Sequence, residues 1–158
     1  MNVFKFGGAS VRDAEGVRNL LQILNTQKTN LIIVVSAMGK MTDALEKVCN
    51  YYFHKSAEAW TALEDVKNFH RNIVSQLFGD QEKEIYTRLD TLVQELEEIL
   101  NSEPSLSYDY EYDRIVSFGE LFSSAIVGAY LNKQGRKIKL IDIRCLLYTS
   151  PSPRDRTR

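Results

Sequence analysis

Leu31-Ile-Ile-Val-Val35 is an unbroken run of branched apolar residues. Such a run suits a strand buried on both faces, as in a parallel sheet covered by helices. Upstream, Val3 to Phe6 reads as a short strand stopped by Gly7-Gly8. Ser10 then opens Ser-Val-Arg-Asp, an approximate capping box. Val17, Leu20, Leu21 and Leu24 follow at helical spacing, which predicts a helix over about 11–26. Strand, helix, strand in that order is a βαβ unit, so the chain is expected to be α/β with parallel pairing.

From Thr42 the periodicity turns helical. Ala44, Leu45, Val48 and Tyr52 form one stripe. A second stripe over 57–77 carries Trp60, Leu63, Val66, Phe69, Ile73 and Leu77, and Gly79 stands where a C-terminal cap would. A third, over 81–101, carries Ile85, Leu89, Leu92, Val93, Leu96, Ile99 and Leu100, with Glu95, Glu97 and Glu98 on its solvated face. This block reads as a helical insertion between strands. The segment 101–107 contains Pro104 and reads as a loop. Tyr108 to Asp113 alternates in a way that could suggest a strand, and its tyrosines suit packing or a loop better than a membrane or stacking role. Ser117-Phe-Gly-Glu120 opens another helix, ended by Gly135, and Lys137 to Ile143 reads as a third strand. Residues 145–158, with two prolines and three arginines, suit no core face. They resemble a translated sequencing adapter, so the folded domain is expected to be 1–144.

Charge and cysteine usage narrow the function classes. The 158 residues carry a formal net charge of -1, which offers no field for nucleic acid or an anionic membrane. No apolar run in the sequence approaches the roughly 20 residues of a membrane helix. Met1 to Lys5 lacks a secretory pattern. A cytoplasmic protein is the expectation. Cys49 and Cys145 match no metal-ligand spacing and read as reduced thiols. His54 and His70 are isolated in the helical block and read as surface or packing residues, so no protein-bound metal is expected.

Three segments carry candidate chemistry. In Lys5-Phe-Gly-Gly-Ala-Ser10, a lysine ends a strand, two glycines follow, and a helix begins. Glycine lets backbone N–H groups approach a phosphate, and a helix start adds partial positive charge. A plain strand–turn–helix joint with an exposed lysine is the equal alternative. It is neither a Walker A loop nor a dinucleotide fingerprint. In Val34-Val-Ser-Ala-Met-Gly-Lys-Met-Thr-Asp43, Ser36 sits at the carboxyl end of the second strand, where parallel sheets bind ligands. Thr42 is either a helix N-cap or a substrate contact. In Ser117-Phe-Gly-Glu120, the spacing is that of a capping box, and Glu120 is otherwise suited to a substrate ammonium.

Together, in this order and at this spacing, these segments resemble the aspartokinases over about residues 1–144. Ala9 stands where threonine is more usual in that family. The resemblance implies a three-layer amino-acid-kinase-like fold with a mainly parallel sheet, here truncated. It implies transfer of the γ-phosphoryl of Mg-ATP to the side-chain carboxylate of aspartate, the entry to lysine, threonine and methionine synthesis. Lys5, as the catalytic cation, with Phe6, Gly7, Gly8 and Ser10, resembles the ATP-phosphate site. Ser36, Thr42 and Glu120 resemble the aspartate site. ATP, Mg2+ and aspartate are the implied ligands, and the parent is expected to be a homo-oligomer. The family's adenine pocket and regulatory domains would lie downstream, so the chain alone is expected to be inactive and prone to aggregate through an open sheet edge. The alternatives are a kinase for glutamate or acetylglutamate, or a non-catalytic helical interaction module.

Overall fold

The structure, a computed structural model, describes residues 2–27, 30–79 and 82–142. Strand β1 (Asn2–Phe6) runs through a 3-10 turn (Gly8–Val11) into helix α1 (Ala14–Asn25) and then β2 (Leu31–Val35). Helices α2 (Met41–Phe53), α3 (Glu58–Phe78), α4 (Lys83–Leu100), α5 (Tyr108–Val116) and α6 (Phe118–Lys133) follow. β1 and β2 pair in parallel, with Val3 opposite Ile32, Lys5 opposite Val34 and Phe6 opposite Val35. The expected βαβ unit is present, and the helical block follows β2, with no strand after it among the described residues.

Alternation divides the sheet into two unlike faces. Phe4, Phe6, Leu31, Ile33 and Val35 join the core formed with Val17, Leu20 and Leu24 of α1 and with α6. Val3, Ile32 and Val34 are 63%, 44% and 44% exposed. The expectation that β2 is buried on both faces is therefore corrected. Among the described residues, helices cover only one side, so half of the branched run meets water.

The helical block supplies most of the core. Leu45 and Val48 of α2, Val66 and Val74 of α3, and Leu92 and Leu96 of α4 are fully buried. Helix α2 packs against α3 and α5, and α4 against α3 and α6. Gly79 ends α3 at φ +67, a conformation that glycine adopts without penalty. Trp60, read from its spacing as a core residue, is 43% exposed at the first turn of α3, where Ala59 and Leu63 take the buried positions. Glu98 is exposed, whereas Glu95 and Glu97 are half-buried.

Other boundaries differ from the sequence reading for local reasons. Helix α1 starts at Ala14, and its cap is Asp13, whose Oδ1 accepts the Gly16 N–H at 2.8 Å. That bond, with the Arg12 guanidinium beside it, holds the Asp13 carboxyl below its usual range. Ser10 instead lies in the 3-10 turn, its N–H donating to the Gly7 carbonyl. Tyr108 to Asp113 is helical rather than loop or strand. Ser107 caps α5 by accepting the Tyr110 N–H, and Asp109 and Glu111 occupy the first turn, where acids complement the helix dipole. Glu111 is buried. It accepts the Ser105 N–H at 2.8 Å and pairs with Arg114 at 3.4 Å.

Residues 137–142 form no strand with β1 or β2. Their start is tied down elsewhere. Asn132 exchanges two hydrogen bonds with Ile138, and Arg136 donates to Asn25 and to the Leu24 carbonyl at the end of α1. Leu140 and Ile141 are left 49% and 60% exposed. Ile143, Cys145 and the remainder of 143–158 lie outside the described residues.

Tyr108–Lys133 is long and apolar enough, by length and composition, to cross a membrane, which corrects the expectation that no run approaches that length. Its apolar window is 67% buried inside the protein, as for a core helix.

His70 is a packing residue, 1% exposed. Its ring stacks on Phe122 at 4.4 Å, and Nδ1 bonds to the Val66 carbonyl at 2.8 Å. Nε2 is buried without a partner among the described residues. Burial lowers its pKa from 6.5 to about 4, so the ring is neutral in the fold. A depressed histidine pKa gives stability that is complete above about 6.5 and is lost as pH falls toward 4. The loss is worth up to about 3 kcal/mol, at about 1.4 kcal/mol per pH unit. Thermal unfolding is expected to show Tm falling between pH 7 and 4.5. His70→Phe keeps a ring against Phe122 and removes the titrating nitrogen, so its Tm should fall less over that interval. Parallel Tm curves for the two proteins would contradict this.

Candidate functional site

Parallel pairing brings the carboxyl ends of β1 and β2 to one rim. Lys5 is the penultimate residue of β1, and the Ser36 N–H extends the ladder by donating to the Phe6 carbonyl at 3.0 Å. Lys5 is exposed and stands opposite Val34, on the face without helices. Phe6 is 7% exposed, with its ring in the core and 6.4 Å from Phe4. Its backbone alone reaches the rim, so a side-chain role for Phe6 toward a nucleotide is not supported.

The two glycines after β1 do different things. A Cβ at Gly7 would meet nothing within 4 Å, so this position faces open space. A Cβ at Gly8 would lie 2.7 Å from the Ala37 carbonyl oxygen and 3.2 Å from that of Gly39. The Gly39 N–H donates to the Gly8 carbonyl at 3.0 Å. Gly8 is therefore required for packing between the first turn and the 36–39 segment. Only Gly7 retains the open approach that the sequence reading gave to both. Ser10 is exposed on the 3-10 turn beyond.

The 36–39 segment turns tightly into α2. Gly39 takes φ +56, and Met38 and Ala37 are buried beneath it. The N-cap of α2 is Lys40, which makes no side-chain cap bond. Thr42 lies half-buried inside the first turn of α2, so its alternative role as N-cap is excluded.

Glu120 reaches the same rim. Ser117 has φ -58 and ψ -20, helical values, because α5 runs almost directly into α6. An N-cap needs extended backbone, so Ser117 forms no capping box, and its hydroxyl donates back to the Arg114 carbonyl. Glu120 is thereby free of that duty. Its Oε1 accepts the Ala37 N–H at 3.3 Å across 83 residues of sequence. The carboxylate is exposed and one residue from Ser36 in the bonded segment. Gly119 makes this approach possible, since a Cβ there would lie 2.7 Å from that of Ala37. Ala37 and Gly119 were not singled out in the sequence. Their signal is size alone, which no motif spacing expresses.

The rim thus presents a cation at Lys5, an open backbone turn at Gly7, and a carboxylate at Glu120. Among the described residues, nothing covers the face that bears Lys5. Clefts are also present among the described residues. One of about 390 Å³ is bordered by Lys40, Asp43, Lys47 and Asp65, and one of about 330 Å³ by Lys55, Trp60 and Glu103. Among the described residues no three His, Cys, Asp or Glu side chains gather into a metal site.

Known proteins share this arrangement of elements. Aspartokinase 1, chloroplastic, of Arabidopsis thaliana is 34% identical over 145 residues, which cover 89% of this chain and 25% of that protein. The aspartokinase of Chlamydia trachomatis is 26% identical over 147 residues, 93% of this chain and 31% of its own length. Escherichia coli aspartokinase III, solved with aspartate and ADP, superposes with a TM-score of 0.69 at 22% identity, over 91% of this chain and 31% of that one. The chain spans less than a third of the length of each. The profile of the amino acid kinase family matches residues 1–157, and the chain belongs to that family.

Proposed function

We propose that this chain is the N-terminal part of an aspartate kinase, and that Lys5, Gly7, Gly8, Ser36, Thr42 and Glu120 contribute to its site. The observation that supports the reading is the parallel pairing that sets the ends of β1 and β2, with Lys5 and the segment from Ser36, side by side, and the Ala37 N–H that holds Glu120 against that segment. The reaction joins a side-chain carboxylate oxygen of aspartate to the γ-phosphorus of ATP. The bond from that phosphorus to the β,γ-bridging oxygen breaks, and ADP leaves with the electron pair. Mg2+ enters as part of the Mg-ATP substrate. Such a transfer needs positioning and charge neutralisation more than covalent help.

Lys5 supplies positive charge at the phosphate end. The Gly7 position admits close backbone approach. Glu120 binds the α-ammonium of the amino acid, which orients the side-chain carboxylate toward the phosphates. Ser36 and Thr42 are read as hydroxyl contacts to the amino acid. A free ammonium distinguishes aspartate from acetylglutamate, whose amine is acylated and would leave Glu120 without a cationic partner. The Escherichia coli relative solved with aspartate and ADP supports this pair of ligands.

We read the folded domain as 1–144, the compartment as cytoplasmic and the parent as a homo-oligomer. The Arabidopsis relatives are named chloroplastic, so the compartment differs within the group. The test is a coupled ADP-release assay. A full-length protein carrying this segment is expected to turn over with aspartate and not with acetylglutamate or glutamate, and the isolated chain is expected to show no turnover. Activity of the isolated chain, or a preference for another acceptor, would overturn the reading.

A further inference from the structure

Three backbone segments distant in sequence meet at one residue, Ala37. Ala37 is 3% exposed. Its N–H donates to Glu120 Oε1 at 3.3 Å. Its carbonyl oxygen lies where a Cβ on Gly8 would come within 2.7 Å. Its own Cβ lies where a Cβ on Gly119 would also come within 2.7 Å, with Leu45 Cδ1 at 3.3 Å from the same point. The Gly8 turn, the 36–39 segment and the first turn of α6 are thus stacked with no room for another methyl group.

We propose that Ala37 and Gly119 act as a positioning pair, whose combined size sets the seat of the Glu120 carboxylate relative to the Lys5–Gly8 turn. This rests on the reading of Glu120 as the substrate-binding carboxylate. Neither residue touches substrate. The Glu120–Ala37 hydrogen bond is already long at 3.3 Å, so a small displacement of α6 breaks it. A methyl group at 119 must move either α6 or the 36–39 segment, because the atoms it meets include the backbone-fixed Cβ of Ala37. Removing the Ala37 methyl group relieves the closest contact and leaves Leu45 Cδ1, the end of a flexible side chain, at 3.3 Å. The nearest remaining atom of that residue, Cα, would stand 3.8 Å from the new Cβ, an ordinary contact.

The test uses the full-length protein and three variants: Gly119→Ala, Ala37→Gly, and both together. Gly119→Ala is expected to raise the aspartate KM by about tenfold or more, since misplacement by about 1 Å costs up to about a hundredfold. The ATP KM should stay within about twofold of the parent. The double variant is expected to recover most of the loss, and Ala37→Gly alone, which leaves a gap rather than an overlap, to raise the aspartate KM by less than Gly119→Ala does. Hydrogen exchange at the Ala37 amide provides a readout independent of substrate. Its protection should fall in Gly119→Ala and return in the double variant. If the parent has no aspartate-dependent activity, the functional reading fails, while the exchange pattern still decides whether the pair sets the carboxylate. Undiminished protection and an unchanged aspartate KM in Gly119→Ala would overturn the proposal. So would a double variant as impaired as Gly119→Ala, including one that fails to fold.

Discussion

Lys5→Ala in the full-length protein is expected to lower kcat by about 10²–10³-fold, the usual cost of removing one group that meets developing charge. The fold should not notice. The Lys5 residue is exposed near the end of β1, and its side chain makes no hydrogen bond or ion pair among the described residues. Substitutions of that kind usually shift stability by less than about 0.5 kcal/mol. The measurement is kcat beside Tm. Lys5→Arg is the informative control. It keeps the charge but spreads it over a planar fork, so part of the activity should return. A kcat within threefold of the parent for Lys5→Ala would remove the phosphate role from this residue and leave the first turn as a simple joint between strand and helix.

Glu120→Ala is expected to raise the aspartate KM by about 10–100-fold, corresponding to the roughly 1.5–3 kcal/mol of a hydrogen bond to a charged group. The ATP KM should change little. Alanine alone is ambiguous, because Glu120 also accepts the Ala37 N–H. Glu120→Gln separates the two roles. Its amide oxygen can still accept that N–H, yet it carries no charge for an ammonium. Binding of substrate requires Gln to be nearly as impaired as Ala. A purely structural carboxylate requires Gln to behave like the parent.

The sequence made some elements plain. Leu31–Val35 has the predicted ends, because five branched residues bounded by polar ones leave few alternatives. Helices α3 and α4 were visible in their apolar spacing, and Gly79 marked the stop of the first. The misreadings share a cause. Ser10-Val-Arg-Asp13 and Ser117-Phe-Gly-Glu120 both match a capping pattern, and neither serine caps. The pattern names side chains, whereas capping depends on backbone conformation. Ser10 sits within a 3-10 turn, and Ser117 continues a helix already begun.

The α5 helix was hidden for a related reason. Tyrosines at 108, 110 and 112 mimic the period of a strand, while the turn that decides the matter is set by Ser107 and the acids after it. At the site, strand ends and their residues were legible because parallel pairing fixes which ends coincide. The contact of Glu120 with Ala37 was not, since it spans 83 positions and depends on two small residues that carry no chemical signature.

The helices placed between β2 and α6 have a consequence for synthesis on the ribosome. They are contiguous in sequence and bury one another, so their core can condense while later segments are still inside the exit tunnel. The outer side of β1 and β2, with Val3, Ile32 and Val34 bare, would then wait for whatever is made next. In a longer protein this nascent intermediate is the stage at which a chaperone that grips short aliphatic stretches would find its target. Release would follow once the second flank of the sheet is in place.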